Sequence, residues 1–135
     1  MKALSLTQPW ATLVATGKKQ IETRSWSTRY RGPLYIHAAK GFPPSAREFA
    51  LQVYGNPAIL PNIPRGAIIA RAWLLDVCPT ADMWSKISPE EARYGDYTPG
   101  RFAWVLTNIK QLEPIPWKGA LGLFEGALPM GETHA

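Results

Sequence analysis

The densest run of reactive side chains is Gly17-Lys18-Lys19-Gln20-Ile21-Glu22-Thr23-Arg24-Ser25-Trp26. A carboxylate set among cations can orient or deprotonate a water. A lysine in the same cluster can hold a phosphate or stabilise an oxyanion. The same residues also suit a structural ion pair between Glu22 and Arg24 with the lysines solvated, since such surface pairs are common. Residue type alone leaves both readings open. Trp26, Trp104 and Trp117 can stack a nucleobase, an interaction of about 1–3 kcal/mol per base. Trp73 and Trp104 lie inside apolar runs and are assigned to the core. Trp26 and Trp117 border loops and stay open. Gln8 can read a base edge or cap the first helix. His37, between Ile36 and Ala38 on a strand leading to Lys40, has a structural reading beside a substrate-binding one.

Other chemistries have no support. There is no nucleophile elbow for Ser-His-Asp hydrolysis. His37 and His134 are the only histidines and have no ligand spacing, so no metal is expected. No glycine-rich phosphate loop is present, and no cofactor is expected.

The elements that must carry these residues follow from periodicity and punctuation. Lys2 to Leu6 reads as a strand. Thr7 then serves as N-cap, Pro9 sits in the first turn, and Trp10, Leu13 and Val14 share a helical face that ends at Gly17. Lys18 to Trp26 reads as an extended segment. Strict alternation would put Glu22 and Arg24 on one face, with Lys19 and Thr23 on the other, and a bulge after Gly17 would be needed to reunite Lys19 with Glu22. Leu34 to Ala39 is a buried strand. A second helix opens at Pro43-Pro44-Ser45 and stops at Gly55-Asn56-Pro57, and a proline-rich loop runs to Pro64. Gly66 to Val77 is the longest apolar run and is expected as a central strand. Ala81 to Ile87 reads as a short helix, and Ser88-Pro89-Glu90-Glu91 as another helix start with acids in its first turn. Arg101 to Thr107 and Leu121 to Leu128 complete the strands. Strands without regular crossover helices predict an α+β fold, a mixed or antiparallel β-barrel with short helices at its rim.

The 135 residues suit one domain, expected over 1–128 with a C-terminal tail over 129–135. No apolar run is long enough to span a bilayer, and Met1 to Leu6 lacks the pattern of a signal peptide. Cys78 is the only cysteine, which excludes an internal disulfide and a cysteine zinc cluster and suits a reducing cytoplasm. The net charge of +5 is uneven. Lys18, Lys19, Arg24, Arg29, Arg31 and Lys40 face one acid, Glu22, whereas acids dominate from Asp76 to Asp96. The basic region points to an anionic partner, with nucleotide or nucleic acid first.

Several blocks, in order, resemble ASCH (activating signal cointegrator homology) domains. They are Ser5-Leu6-Thr7-Gln8-Pro9-Trp10-Ala11, Gly17-x-Lys19-x-x-Glu22-x-Arg24, Leu34 to Lys40, Gly100 to Leu106, and Ile115-Pro116-Trp117-Lys118-Gly119. The resemblance covers nearly the whole chain. It implies a PUA-like barrel whose cleft is lined by the Gly-x-Lys-x-x-Glu-x-Arg block, and a family associated with RNA binding. It also implies the amidohydrolase activity of small bacterial members, which release cytidine from N4-acylated cytidines. Another line of the family is ribonuclease-like. In the deacylating members a threonine nucleophile matches the position of Glu22, and here Thr23 is its neighbour. Those members also use a second acid, for which Glu90 and Glu91 lie in the corresponding stretch.

The expected catalytic set is therefore Lys19, Glu22, Arg24 and Thr23 with Glu90 or Glu91. Gln8, Trp26, His37, Lys40, Trp117 and Lys118 are the expected substrate-binding residues. The expected partner is a modified nucleoside or RNA. Hydrolysis of an N4-acylcytidine leads, and non-catalytic RNA binding or ribonuclease-like cleavage are the alternatives.

Overall fold

A computed structural model describes residues 2–126. Six strands, β1 (Lys2–Leu6), β2 (Ile21–Arg24), β3 (Gly32–Ala38), β4 (Ala67–Pro79), β5 (Phe102–Pro116) and β6 (Leu123–Glu125), form one sheet in the order β2-β5-β4-β3-β1-β6. The β1–β3 pair is parallel and the other pairs are antiparallel. The sheet curls into a half-barrel, and short helices α1 (Trp10–Ala15), α2 (Pro44–Tyr54), α3 (Thr80–Met83) and α4 (Pro89–Arg93) accompany it. This is the expected PUA-like α+β architecture.

The packing explains why the strands form where they do. Leu4, Leu6, Leu34, Ile36, Ile69, Leu74 and Trp104 meet Ala11 and Val14 of α1 in the main core. Each fully buried leucine or isoleucine there contributes about 1.5–3 kcal/mol of apolar transfer. The opposite face of β1 and β3 is covered as well, by a second cluster of Ala3, Tyr35, Ile68 and Leu112. Coverage on both faces is why β3 reads as a continuous apolar run rather than an alternating one. Ser5 and His37 lie on this second face, in register with each other.

Local signals resolve differently from expectation at several points. The first helix has no Thr7 side-chain cap. Instead Gln8 Oε1 accepts from Thr12 N at 2.9 Å. Gly17 adopts φ +81° just past the helix, where a side chain would be strained. The extended segment shrinks to β2, which begins only at Ile21. The proline-rich loop contains a 3-10 turn over Pro57–Asn62. The Ala81–Ile87 helix divides into α3 and a 3-10 turn over Trp84–Lys86. Ser88 caps α4 as expected, its Oγ accepting from Glu91 N at 3.0 Å. β5 runs nine residues past Thr107 because β4 supplies a long antiparallel partner, despite Asn108 at φ +50°. Trp104 is fully buried, but Trp73 is 44% exposed. Beyond Ala72 the outer face of β4 is uncovered, so Trp73 and Leu75 project outward on alternate positions. The final strand covers only Leu123–Glu125, and positions 127, 128 and the expected tail lie outside the described residues.

Candidate functional site

Helix α1 delivers the chain to the site. Its last turn accepts Lys19 N on Leu13 O at 3.0 Å, so Lys19 is fixed before β2 starts. Lys19 therefore escapes strand alternation, and its Nζ comes within 3.6 Å of Glu22 Oε1. The side chain is wholly buried and does not line the cleft described below. Nζ donates to the backbone carbonyls of Ile21 and Tyr94, the latter at 3.0 Å. These two carbonyls and the Glu22 carboxylate match the three N–H groups of an ammonium. Desolvation holds the Lys19 pKa below its ordinary value, and the Glu22 and Glu91 carboxylates oppose that shift. Lys19 thus lies buried against the Glu22 carboxylate and outside the cleft lining, whereas the sequence reading gave it an oxyanion role.

Glu22 and Arg24 share the open face of β2, as alternation requires. Arg24 Nε lies 3.0 Å from Glu22 Oε2, at ion-pair distance but without the alignment of a hydrogen bond. Arg24 Nη2 donates to the carbonyl oxygen of Ser5 at 2.6 Å. One guanidinium therefore ties the carboxylate on β2 to the backbone of β1. Thr23 turns the other way, and its Oγ1 accepts from Asp96 N at 3.0 Å.

Glu22, Thr23, Arg24 and Trp26 line a cleft of about 620 Å³ with Trp10, Phe49, Arg93, Tyr94 and Arg101. Trp10 stacks on Phe49 at 5.2 Å between centroids, and Phe49 meets Tyr94 edge-on at 6.4 Å. Trp26 is held edge-to-face against Trp104 at 4.8 Å, with its carbonyl accepting from Trp104 Nε1. Aromatic side chains and guanidinium groups thus share the cleft with two carboxylates, Glu22 and Asp96, and Arg101 Nε lies 3.6 Å from Asp96 Oδ2. The sequence reading missed Trp10, Phe49, Arg93 and Arg101. The proximity of Trp10 to Gln8-Pro9 was the only local signal, because the others arrive from separate elements.

The two candidate acids separate. Glu91 Oε1 accepts from Gln20 N at 2.8 Å, and its charge acts on Lys19. Glu90 Oε1 instead accepts from the Tyr94 hydroxyl at 3.0 Å. Neither lines the cleft. Tyr97, also buried here, has its phenol pKa pushed far up, chiefly by burial and further by Glu91 and Glu22.

The expected substrate-binding residues divide among three places. Trp26 is in the first cleft. Gln8 is fully buried, and its Nε2 donates to Thr12 Oγ1 at 2.8 Å and Pro64 O at 2.7 Å. Its amide is satisfied by the fold, an arrangement that matches the helix-cap reading. His37, Lys40, Trp117 and Lys118 line a second cleft of about 870 Å³ with Arg65 and Gly119. Ser5 lines both clefts. The basic stretch from Lys18 to Lys40 is not one patch. Lys19 is buried, Arg24 pairs with Glu22, and Arg31 lies 3.5 Å from Asp76. Among the described residues no group of three or more His, Cys, Asp or Glu side chains is placed to hold a metal, and no helix is long and apolar enough to cross a membrane.

Comparison with known proteins bears on the family and the fold. The chain is 31% identical over 139 aligned positions to activating signal cointegrator 1 of Mus musculus and 30% identical to that of Homo sapiens. Each alignment covers 92% of this chain but only 23% of the relative. The fold is similar to the crystal structure of ASCH from Zymomonas mobilis, with a TM-score of 0.60 and 19% identity over 91% of this chain and 85% of that one. A tyrosine-to-phenylalanine mutant of the Zymomonas protein gives a TM-score of 0.58 at 18% identity, covering 91% of this chain and 87% of that one. The sequence model of the ASCH domain matches residues 4–116, and the chain belongs to the ASCH domain family.

Proposed function

We propose that the first cleft binds an N4-acylated cytidine or a related modified nucleoside and hydrolyses its amide. The observation that carries this reading is the convergence of Glu22, Arg24 and an aromatic wall in one cleft, with Lys19 locking the carboxylate from below. The aromatic side chains supply stacking surface for a base. Glu22 orients the attacking water, and Arg24 fixes the direction of the carboxylate. Arg93 supplies positive charge for polar groups of the ligand, while Arg101 is held by Asp96 and the Thr23 carbonyl. In this reading Lys19 and Glu91 are positioning residues, and Thr23 braces the Asp96 loop instead of serving as nucleophile.

The test is release of cytidine from N4-acetylcytidine by the purified protein, beside Glu22→Gln. Turnover in the parent and its loss in the folded variant are expected. Equal turnover in both would remove Glu22 from the chemistry.

RNA binding is the second reading, favoured by the second cleft. Lys40, Arg65 and Lys118 line it beside Trp117, and among the described residues no carboxylate does. If RNA tracks this surface, its affinity falls steeply with salt through counterion release. Salt-insensitive association would refute it.

A further inference from the structure

We propose that Ser5 and His37 form a nucleophile–base pair, with Ser5 Oγ accepting the acyl group as an acyl-serine intermediate. The proposal rests on the amidohydrolase reading above and names the nucleophile for it. The pair was invisible in the sequence because Ser5 and His37 are 32 positions apart and carry no elbow motif.

The parallel pairing of β1 and β3 sets Ser5 opposite His37, and Ser5 Oγ lies 2.7 Å from His37 Nδ1. The other ring nitrogen, Nε2, lies 2.7 Å from the carbonyl oxygen of Trp117. A carbonyl only accepts, so Nε2 carries the proton of the neutral ring. Nδ1 is then left with its lone pair toward Ser5, whose hydroxyl donates to it. Nucleophile, base and orienting acceptor thus stand in line, with a peptide carbonyl in the orienting place.

Four further observations fit a reacting group better than a simple strand tie. Ser5 is partly exposed and is among the residues that line both clefts. Its backbone carbonyl is held by Arg24, the residue that also meets Glu22. Gly119 presses on the pair so closely that a Cβ there would fall 2.6 Å from His37 Cε1 and 2.8 Å from Ser5 Oγ. Phe124 closes the ring edge-on at 5.8 Å. Ring and hydroxyl are therefore held in one geometry before any substrate arrives.

The reaction balances without a co-reactant other than water. Ser5 Oγ adds to the acyl carbon as its proton passes to His37 Nδ1. The C–N bond breaks and the amine leaves with that proton. A water oriented by Glu22 then adds to the acyl-serine, gives a proton to His37, and releases the carboxylic acid as Ser5 recovers its proton.

The experiment treats the whole purified chain with a fluorophosphonate probe and maps the adduct by mass spectrometry, beside N4-acetylcytidine turnover by Ser5→Ala and His37→Asn. A phosphonylated Ser5 is expected, with labelling suppressed in His37→Asn. In folded Ser5→Ala, kcat should fall by about 100-fold or more, in the range of lost acid–base assistance. Absence of the Ser5 adduct overturns the proposal, as does parental turnover in Ser5→Ala. Loss in Glu22→Gln with full activity in Ser5→Ala would remove the nucleophile and keep the amidohydrolase. A Ser5 adduct in a protein that turns over no N4-acylcytidine would keep the nucleophile and remove the substrate. The adduct is read on the parent protein, so the test does not depend on a variant folding.

Discussion

Replacing Lys19 with methionine tests whether the buried ammonium organises the site. The substitution nearly preserves side-chain volume but removes every hydrogen bond that Nζ makes. The carbonyls of Ile21 and Tyr94 lose their donor, and Glu22 is left facing Arg24 alone. An unsatisfied buried carbonyl costs about 1–3 kcal/mol, and breaking a buried ion pair from one side costs about 3–5 kcal/mol. These overlap, and removing a charge from a desolvated place gives part back. The expected net loss is therefore about 3–4 kcal/mol. For a domain of this size that lowers Tm by roughly 10–15 °C. Urea unfolding followed by tryptophan fluorescence measures it, with Glu22→Gln and the double variant completing a cycle. A coupling of about 1–3 kcal/mol is expected between two groups in one network. A loss below about 1 kcal/mol with additive singles would refute the claim that Lys19 holds Glu22 in place.

Two other outcomes follow from the same geometry. Gln8→Ala leaves Pro64 O and Thr12 N without their side-chain partner, and should cost about 1–3 kcal/mol in a denaturant melt while ligand affinity per folded molecule is unchanged. An affinity loss at unchanged stability would restore Gln8 as a base reader. Asp96 has its pKa held below the ordinary carboxylate value, first by the Thr98 hydroxyl and backbone N–H and then by Arg101. A depressed folded-state pKa gives stability that is present above the unfolded value near pH 4 and lost as pH falls through the folded one. Thermal melts between about pH 2 and 6 should show that acid loss in the parent and a shallower one in Asp96→Asn. Parallel curves would remove the linkage.

The strands were readable because their signals are local. The apolar run of β3 announces burial on both faces, and Gly55 at φ +69° ends α2 where the sequence places the stop. Trp73 was misread because an apolar strand does not announce which of its positions will lack a covering layer. The burial of Lys19 was hidden for a similar reason. A lysine beside a glutamate and an arginine looks solvated until the Tyr94 carbonyl, 75 positions away, closes over it.

What the chain decides by itself is the set of elements, the turn positions, and the presence of Glu22 and Arg24 on one face of an extended segment. These depend on φ/ψ preference and on periodicity, which act over a few residues. Tertiary structure alone decides which distant groups share a cavity. It joins Trp10, Phe49, Arg93 and Arg101 into the wall around Glu22, selects Glu91 over Glu90 as the acid acting on Lys19, and sets Ser5 against His37. Those contacts arise from strand order and from the way short helices close over the sheet, and sequence spacing carries no record of either.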